Sequence, residues 1–185
     1  EEHRMSLKSI LIVSIHLLAA LCTVLVIAFY FGTGVSKFVI YLTLFTGALW
    51  VTLLYFSITG KKKIQRIVKS VFADNNSVIS HFGPYSLRYV GIDTNTGNIL
   101  LIALDKFRPQ VLGFNYNDWA GYEKKGCLLT LKFNDLNTPS FQINSNATVN
   151  HFVDKLDFLL SSSYKPSTDY SKQFGKIVTE KLQTA

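Results

Sequence analysis

The chain has 185 residues, 48% of them hydrophobic, with 19 basic and 12 acidic side chains for a net charge of +7. That surplus is local. Residues 1–59 carry net +1, residues 60–77 net +4, residues 78–161 seven charges of each sign, and residues 162–185 net +2. A basic excess confined to a short segment and a tail argues against a nucleic-acid-binding face on the folded part.

The front of the chain is apolar. Residues 9–36 and 38–60 contain no Lys, Arg, Asp or Glu. At ~1.5 Å rise per residue, each run is long enough to cross a hydrocarbon core of ~30 Å. Two consecutive runs without a clear small-residue cleavage site fit membrane spans better than a signal peptide. Residues 1–8 form a polar lead, and Met5, the only methionine, is a candidate start. We place the first span at about 9–31 and the second at about 38–59, in a hairpin unit covering 1–60. Gly32 and Gly34 suit the reversal between them.

Small residues allow close helix approach in lipid. His16, Ala19, Ala20 and Thr23 share one side of the first span, and Thr43 and Gly47 form a small face on the second. This leaves self-association of the spans open. His16 is the titratable residue within a span, a position that raises a functional hypothesis. The preferred reading is a neutral imidazole hydrogen-bonded to Thr43 or Thr46, because no acid is near to complete a proton path. Trp50, Tyr30, Tyr41 and Tyr55 include expected interface anchors.

Lys61, Lys62, Lys63, Arg66 and Lys69 follow the second run at once. Basic flanks stay on the cytoplasmic side, so both termini are expected in the cytoplasm of a two-span protein. Ile64, Ile67, Val68, Val71 and Phe72 recur at helical spacing, with Lys62, Arg66 and Lys69 opposite. Residues 61–76 thus read as a basic amphipathic juxtamembrane helix. It is either a topology-setting flank, the preferred reading, or a headgroup-level helix attracted to anionic lipid.

From residue 77 the apolar period drops to two. Seven strands are predicted, at 77–82, 86–92, 98–104, 110–116, 119–124, 127–133 and 140–144, separated by turn signals such as Asp93-Thr94-Asn95-Thr96-Gly97. In the sixth strand Cys127, Leu129, Leu131 and Phe133 are expected on one face. A helix follows, with Asn146 as N-cap and Val149, Phe152, Val153, Leu156, Leu159 and Leu160 as its apolar stripe. Residues 162–185 form a basic tail with a second helical pattern that Gly175 weakens. It would dock on the domain, the membrane or a partner.

The chemistry expected is slight. The four histidines are dispersed, and no metal-binding, nucleotide-binding or nucleophile-elbow motif occurs, so we expect neither an enzyme nor a cofactor. Cys22 and Cys127 are not expected to pair. Tyr116, Trp119 and Tyr122 are either core residues, the preferred reading, or a protein-binding surface patch.

The fold class is therefore an α+β membrane protein. In architecture, residues 77–161 resemble a pleckstrin-homology-like domain: seven short antiparallel strands and one amphipathic helix. Local support comes from the hairpin of residues 89–93 and 99–101 and from the corner Phe114-Asn115-Tyr116-Asn117-Asp118-Trp119. Lipid-binding members of that family cluster bases around the first hairpin. Here Phe82-Gly83-Pro84-Tyr85-Ser86 has none and only Arg88 follows, so phosphoinositide binding does not carry over. The layout as a whole is similar to the small inner-membrane exclusion proteins of prophages and conjugative plasmids, above all the phage superinfection exclusion proteins of the A type. That resemblance implies a bacterial inner-membrane protein that blocks incoming DNA by contact with a protein of the delivery apparatus, without binding nucleic acid itself. The alternative is a membrane-associated scaffold or lipid-responsive module.

Overall fold

The computed structural model describes residues 7–72, 76–83, 86–105, 109–144, 149–167 and 173–183. It divides into two compact units, Glu1–Lys61 and Lys62–Ala185.

The first unit is a helical hairpin. Helix α1 spans Leu7–Thr33, and helix α2 begins at Lys37 and continues to Val71. Gly34, at φ +71°, ends α1, its N–H bonded to the Tyr30 carbonyl at 3.0 Å. Ser36 starts α2 by accepting from Val39 N–H through its hydroxyl at 3.3 Å. A left-handed glycine after one helix and a hydroxyl cap before the next reverse the chain in three residues.

The covered positions follow a 3-4 rhythm. They include Ile12, Ile15, Ala19, Cys22 and Val26 on α1, and Val39, Leu42, Thr46, Leu49 and Leu53 on α2, with Val13, His16, Thr23 and Ser57 also half-buried. This is the seam of two closely aligned helices. Most of the remaining surface of the pair is uncovered and apolar. Only 11% of the apolar stretch of α1 and 17% of that of α2 is buried. Both helices are long and apolar enough to cross a membrane.

The second span and the basic juxtamembrane segment form one helix. Helix α2 runs through Gly60 without interruption. One glycine costs a helix only about 1 kcal/mol relative to Ala, too little to end a helix with good formers on both sides.

The second unit is α+β. All seven strands are present: β1 (Val78–Gly83), β2 (Arg88–Asp93), β3 (Ile99–Ala103), β4 (Gln110–Phe114), β5 (Trp119–Lys125), β6 (Leu128–Phe133) and β7 (Ser140–Asn144). They form two antiparallel sheets, ordered β1-β2-β3-β4 and β5-β6-β7. Helix α3 (Val149–Leu160) and helix α4 (Phe174–Gln183) follow. Asn146 lies outside the described residues. Leu129, Leu131 and Phe133 are buried as expected, but Cys127 sits exposed in the turn before β6. Both cysteines are free.

One core takes Val90, Ile92, Ile99 and Leu101 from the first sheet. Leu129, Leu131, Phe141 and Ile143 come from the second, and Val149, Phe152, Leu156 and Leu159 from α3. The α3 stripe is narrower than expected, since Leu160 is exposed.

Strand β3 does not alternate. Leu100 and Ile102, on the face opposite this core, are fully buried as well. The first sheet is thus covered on both sides. Helix α4 packs on β4, where Gly113 and Gly175 let the two backbones approach closely. The tail is therefore part of the domain. Gly175, expected only to weaken the helix, is what admits it.

Candidate functional site

Lys61, Lys62, Lys63, Arg66 and Lys69 all lie exposed near the end of α2. The apolar side of the same turns is not exposed. Ile64, Val71 and Phe72 are buried, and Ile67 and Val68 are half-buried. The Phe72 ring stacks on Phe174 of α4 at 5.8 Å, and Lys181 Nζ donates to the Val71 carbonyl at 2.8 Å. A cation on a terminal carbonyl satisfies an orphan acceptor and complements the helix dipole. The apolar side of this stretch of α2 is therefore largely covered by protein. What remains for a lipid or a partner is the row of five bases. The helix ends at Val71 rather than near residue 76.

Within the hairpin, Thr43 and Thr46 each donate to a carbonyl of their own helix, Val39 at 2.8 Å and Leu42 at 2.8 Å. Thr43 and Gly47 are exposed, and nothing lies within 4 Å of a Cβ placed on Gly47. Their small face points away from α1. The ring contact of His16 is with Trp50, edge-on at 5.3 Å. Trp50 Nε1 in turn donates to Thr23 Oγ1 at 3.2 Å, and Thr23 donates to the Ala19 carbonyl at 2.7 Å. Trp50 thus links the helices. Sequence spacing could not show this. When nearly every position is apolar, small residues alone do not fix which side of a helix faces its neighbour.

Tyr116, Trp119 and Tyr122 do not make a surface patch. Trp119 is 7% exposed, in the core, with Nε1 donating to the Gly121 carbonyl at 2.8 Å. Tyr116 donates to the Leu159 carbonyl at 2.6 Å, and Tyr122 donates to Asp157. Desolvation and the Asp157 carboxylate push the Tyr122 phenol up to about 12, so it stays a donor at neutral pH. These aromatics fasten α3 to the strands, which is the core reading.

Two polar features were not anticipated. Arg88 on β2 donates through Nε and Nη2 to Asp105 Oδ2, at 3.2 and 2.8 Å, and through Nη1 to the Gln142 carbonyl on β7 at 2.7 Å. Asp105 is 3% exposed. The pair joins the two sheets. The second feature is His81, buried on β1. It donates through Nε2 to the Asn144 carbonyl at 3.2 Å and stacks on Phe152 of α3.

Burial lowers the His81 pKa below 6.5, partly offset by the Asn144 hydrogen bond. With the folded value below the unfolded one, the unfolded chain takes the proton first. Stability is then full above 6.5 and declines as pH falls through the folded value. We expect the urea midpoint of the wild-type domain to drop between roughly pH 7 and pH 5, and His81→Gln, which keeps a donor without titrating, to flatten that drop. Equal slopes for both proteins would remove His81 as the cause.

Two clefts open on the second unit. One, of about 530 Å³, lies between the Asn115–Asp118 corner and α4. The other, of about 330 Å³, is lined by Ile79 and Ser80 of β1 and His151, Phe152 and Lys155 of α3. Among the described residues no three His, Cys, Asp or Glu side chains gather as a metal site would require. Compared with family models, curated proteins and solved structures, the chain matches none.

Proposed function

We propose that this protein is a two-span, inner-membrane exclusion protein whose cytoplasmic domain blocks, by protein contact, the DNA of a superinfecting phage or related mobile element. The observation that carries the membrane part is the uncovered apolar exterior of the hairpin. Leu17, Leu21 and Val24 on α1 and Leu44, Val51 and Leu54 on α2 are all more than half exposed. Exposure of that extent in water would drive aggregation, whereas in hydrocarbon it is the stable arrangement. The five bases that follow set the cytoplasmic side.

Strand orders of four and three followed by α3 support the pleckstrin-homology-like reading of the domain. The exclusion role rests on the layout, a short membrane anchor with a folded domain held beside the bilayer. Confinement there raises the effective concentration near any membrane target.

Two measurements test the reading. Cys127 is exposed and Cys22 is buried in the hairpin, so an impermeant maleimide should label Cys127 only after the inner membrane is opened. Labelling of intact spheroplasts would reverse the topology. Phage and plasmid DNA delivery should fall in cells making the full chain and recover when residues 1–60 are removed. Unchanged delivery with the full chain sinks the exclusion role.

A second reading, a lipid-responsive scaffold, is favoured by the exposure of all five bases. At ~1 kcal/mol per base near an anionic surface, neutralising them should abolish residual flotation of a hairpin-less chain with anionic vesicles. Flotation that survives neutralisation would exclude it.

A further inference from the structure

Among the described residues, the cleft beside β1 borders a sheet edge that no further strand covers. β1 is first in its sheet, with β2 as its strand neighbour. Thr94 N–H bonds the Ser77 carbonyl at 2.9 Å, so the pair 77/94 is hydrogen-bonded. Bonded and non-bonded pairs alternate in an antiparallel ladder. The register then gives bonded pairs at Ile79/Ile92 and His81/Val90. The main-chain groups of Val78, Ser80 and Phe82 consequently point away from β2.

At the far end of β1, β7 approaches: His81 reaches the Asn144 carbonyl, and Gly83 lies against Ile143 and Asn144. The near end, at Ile79 and Ser80, faces α3 across the 330 Å³ cleft instead. Natural sheet edges are usually guarded by charges, proline or bulges. β1, Val-Ile-Ser-His-Phe-Gly, carries no Lys, Arg, Asp, Glu or Pro and pairs with β2 without a register shift.

We infer that this cleft binds an extended acidic peptide of a partner protein, added to β1 as a further strand. Strand addition beside a helix draws affinity from main-chain bonds and selectivity from the flanking pocket. Ser80 and Val78 supply the main-chain groups, and Ile79 and Phe152 give apolar contact. Lys155, with His151 beside it, supplies the charge, and no carboxylate is among the described lining residues. That charge selects the occupant. A second copy of β1 would bring no acid and would leave Lys155 unanswered, whereas a peptide alternating β-branched and acidic residues satisfies edge and rim together.

The inference stands apart from the exclusion role, because it is read with purified protein and not through DNA delivery. The probe is a fluorescein-labelled peptide, Thr-Glu-Val-Glu-Val-Glu-Thr, titrated by anisotropy against full-length protein in zwitterionic nanodiscs. Its counterpart with Lys for Glu is the control. We expect saturable binding of the acidic peptide alone. Ser80→Pro removes an outward N–H, which an edge strand tolerates, and Lys155→Glu reverses the rim. Lys155→Glu should weaken binding at least about tenfold, since a charge-assisted contact is lost, and Ser80→Pro by roughly three- to tenfold, since a neutral main-chain bond is lost. Should Ser80→Pro fold poorly, Lys155→Glu and a peptide N-methylated at alternate residues decide the matter. Absence of saturable binding would overturn the proposal. So would undiminished binding to Lys155→Glu, which would place the peptide on the bases of α2, or a dimer in place of peptide binding that Ser80→Pro abolishes.

Discussion

Arg88→Ala is expected to destabilise the β-domain by about 3–5 kcal/mol, the usual cost of removing one partner from a buried ion pair. Asp105 is 3% exposed, and both nitrogens that Arg88 offers it go to the same oxygen, Oδ2. Among the described residues Oδ1 has no hydrogen-bond partner. Among the described residues Arg88 is the partner of this carboxylate, and without it the buried charge loses that partner. The guanidinium also lies 5.6 Å from the Phe141 ring centre and donates to the Gln142 carbonyl, so its loss loosens the first sheet from β7. Urea unfolding of the full chain in detergent, followed by Trp119 fluorescence in a Trp50→Phe background, should show a lower midpoint at an unchanged slope. Arg88→Met combined with Asp105→Leu should recover most of the loss, since a buried ion pair often contributes no more than well-packed apolar residues. A change under about 1 kcal/mol for Arg88→Ala would mean that water reaches Asp105.

Arg88 also marks where the sequence ran out. It was legible as the single base after the first hairpin loop, enough to argue against an inositol phosphate cradle. Its partner was not legible. Asp105 lies 17 positions away, and the two meet only because the register sets Arg88 opposite Ala103. The strands themselves were legible because half-buried edges alternate and turns carry their own residues. Asp93 and Gly97 show this: Asp93 Oδ1 accepts from Asn95 N–H at 2.9 Å, and Gly97 takes φ +73°.

The second buried face of β3 is written in its composition. Ile-Leu-Leu-Ile-Ala is a continuous apolar run, as expected of a strand buried on both faces. It implied a second layer on the first sheet, which the last helix in the chain supplies. In the hairpin the opposite problem arose. The spans were plain from length and composition, but their contacting faces were not, because the 3-4 seam is invisible where both sides are apolar. Thr46, not Thr43, lies in it.

The second large effect is expected at α4. Phe174→Ala should cost about 3–5 kcal/mol, the range for truncating a buried aromatic. Phe174 is 4% exposed, stacks on Phe72 at the end of α2, and has its N–H bound by Asn115 Oδ1 at 3.1 Å. It thus ties three segments together: the α2 terminus, the β4–β5 corner and the tail. Gly113→Val approaches the same contact from the strand. A Cβ there would fall 2.8 Å from Val178 Cγ2, 2.9 Å from Phe174 Cδ1 and 3.1 Å from the Gly175 backbone. Side chains can yield, but the Gly175 backbone cannot without moving the helix, so overpacking of about 1–3 kcal/mol is expected. Both variants should unmask amide exchange in α4 and β4 first, while the core strand β6 stays protected, because the lost contacts lie on the outer face of the first sheet. If β6 exchanges in step with α4, the outer layer and the inner core form one cooperative unit, and the tail is as integral to the domain as any strand. If α4 alone is released with no loss in global stability, its packing on β4 is a weak latch, and the expected cost is wrong.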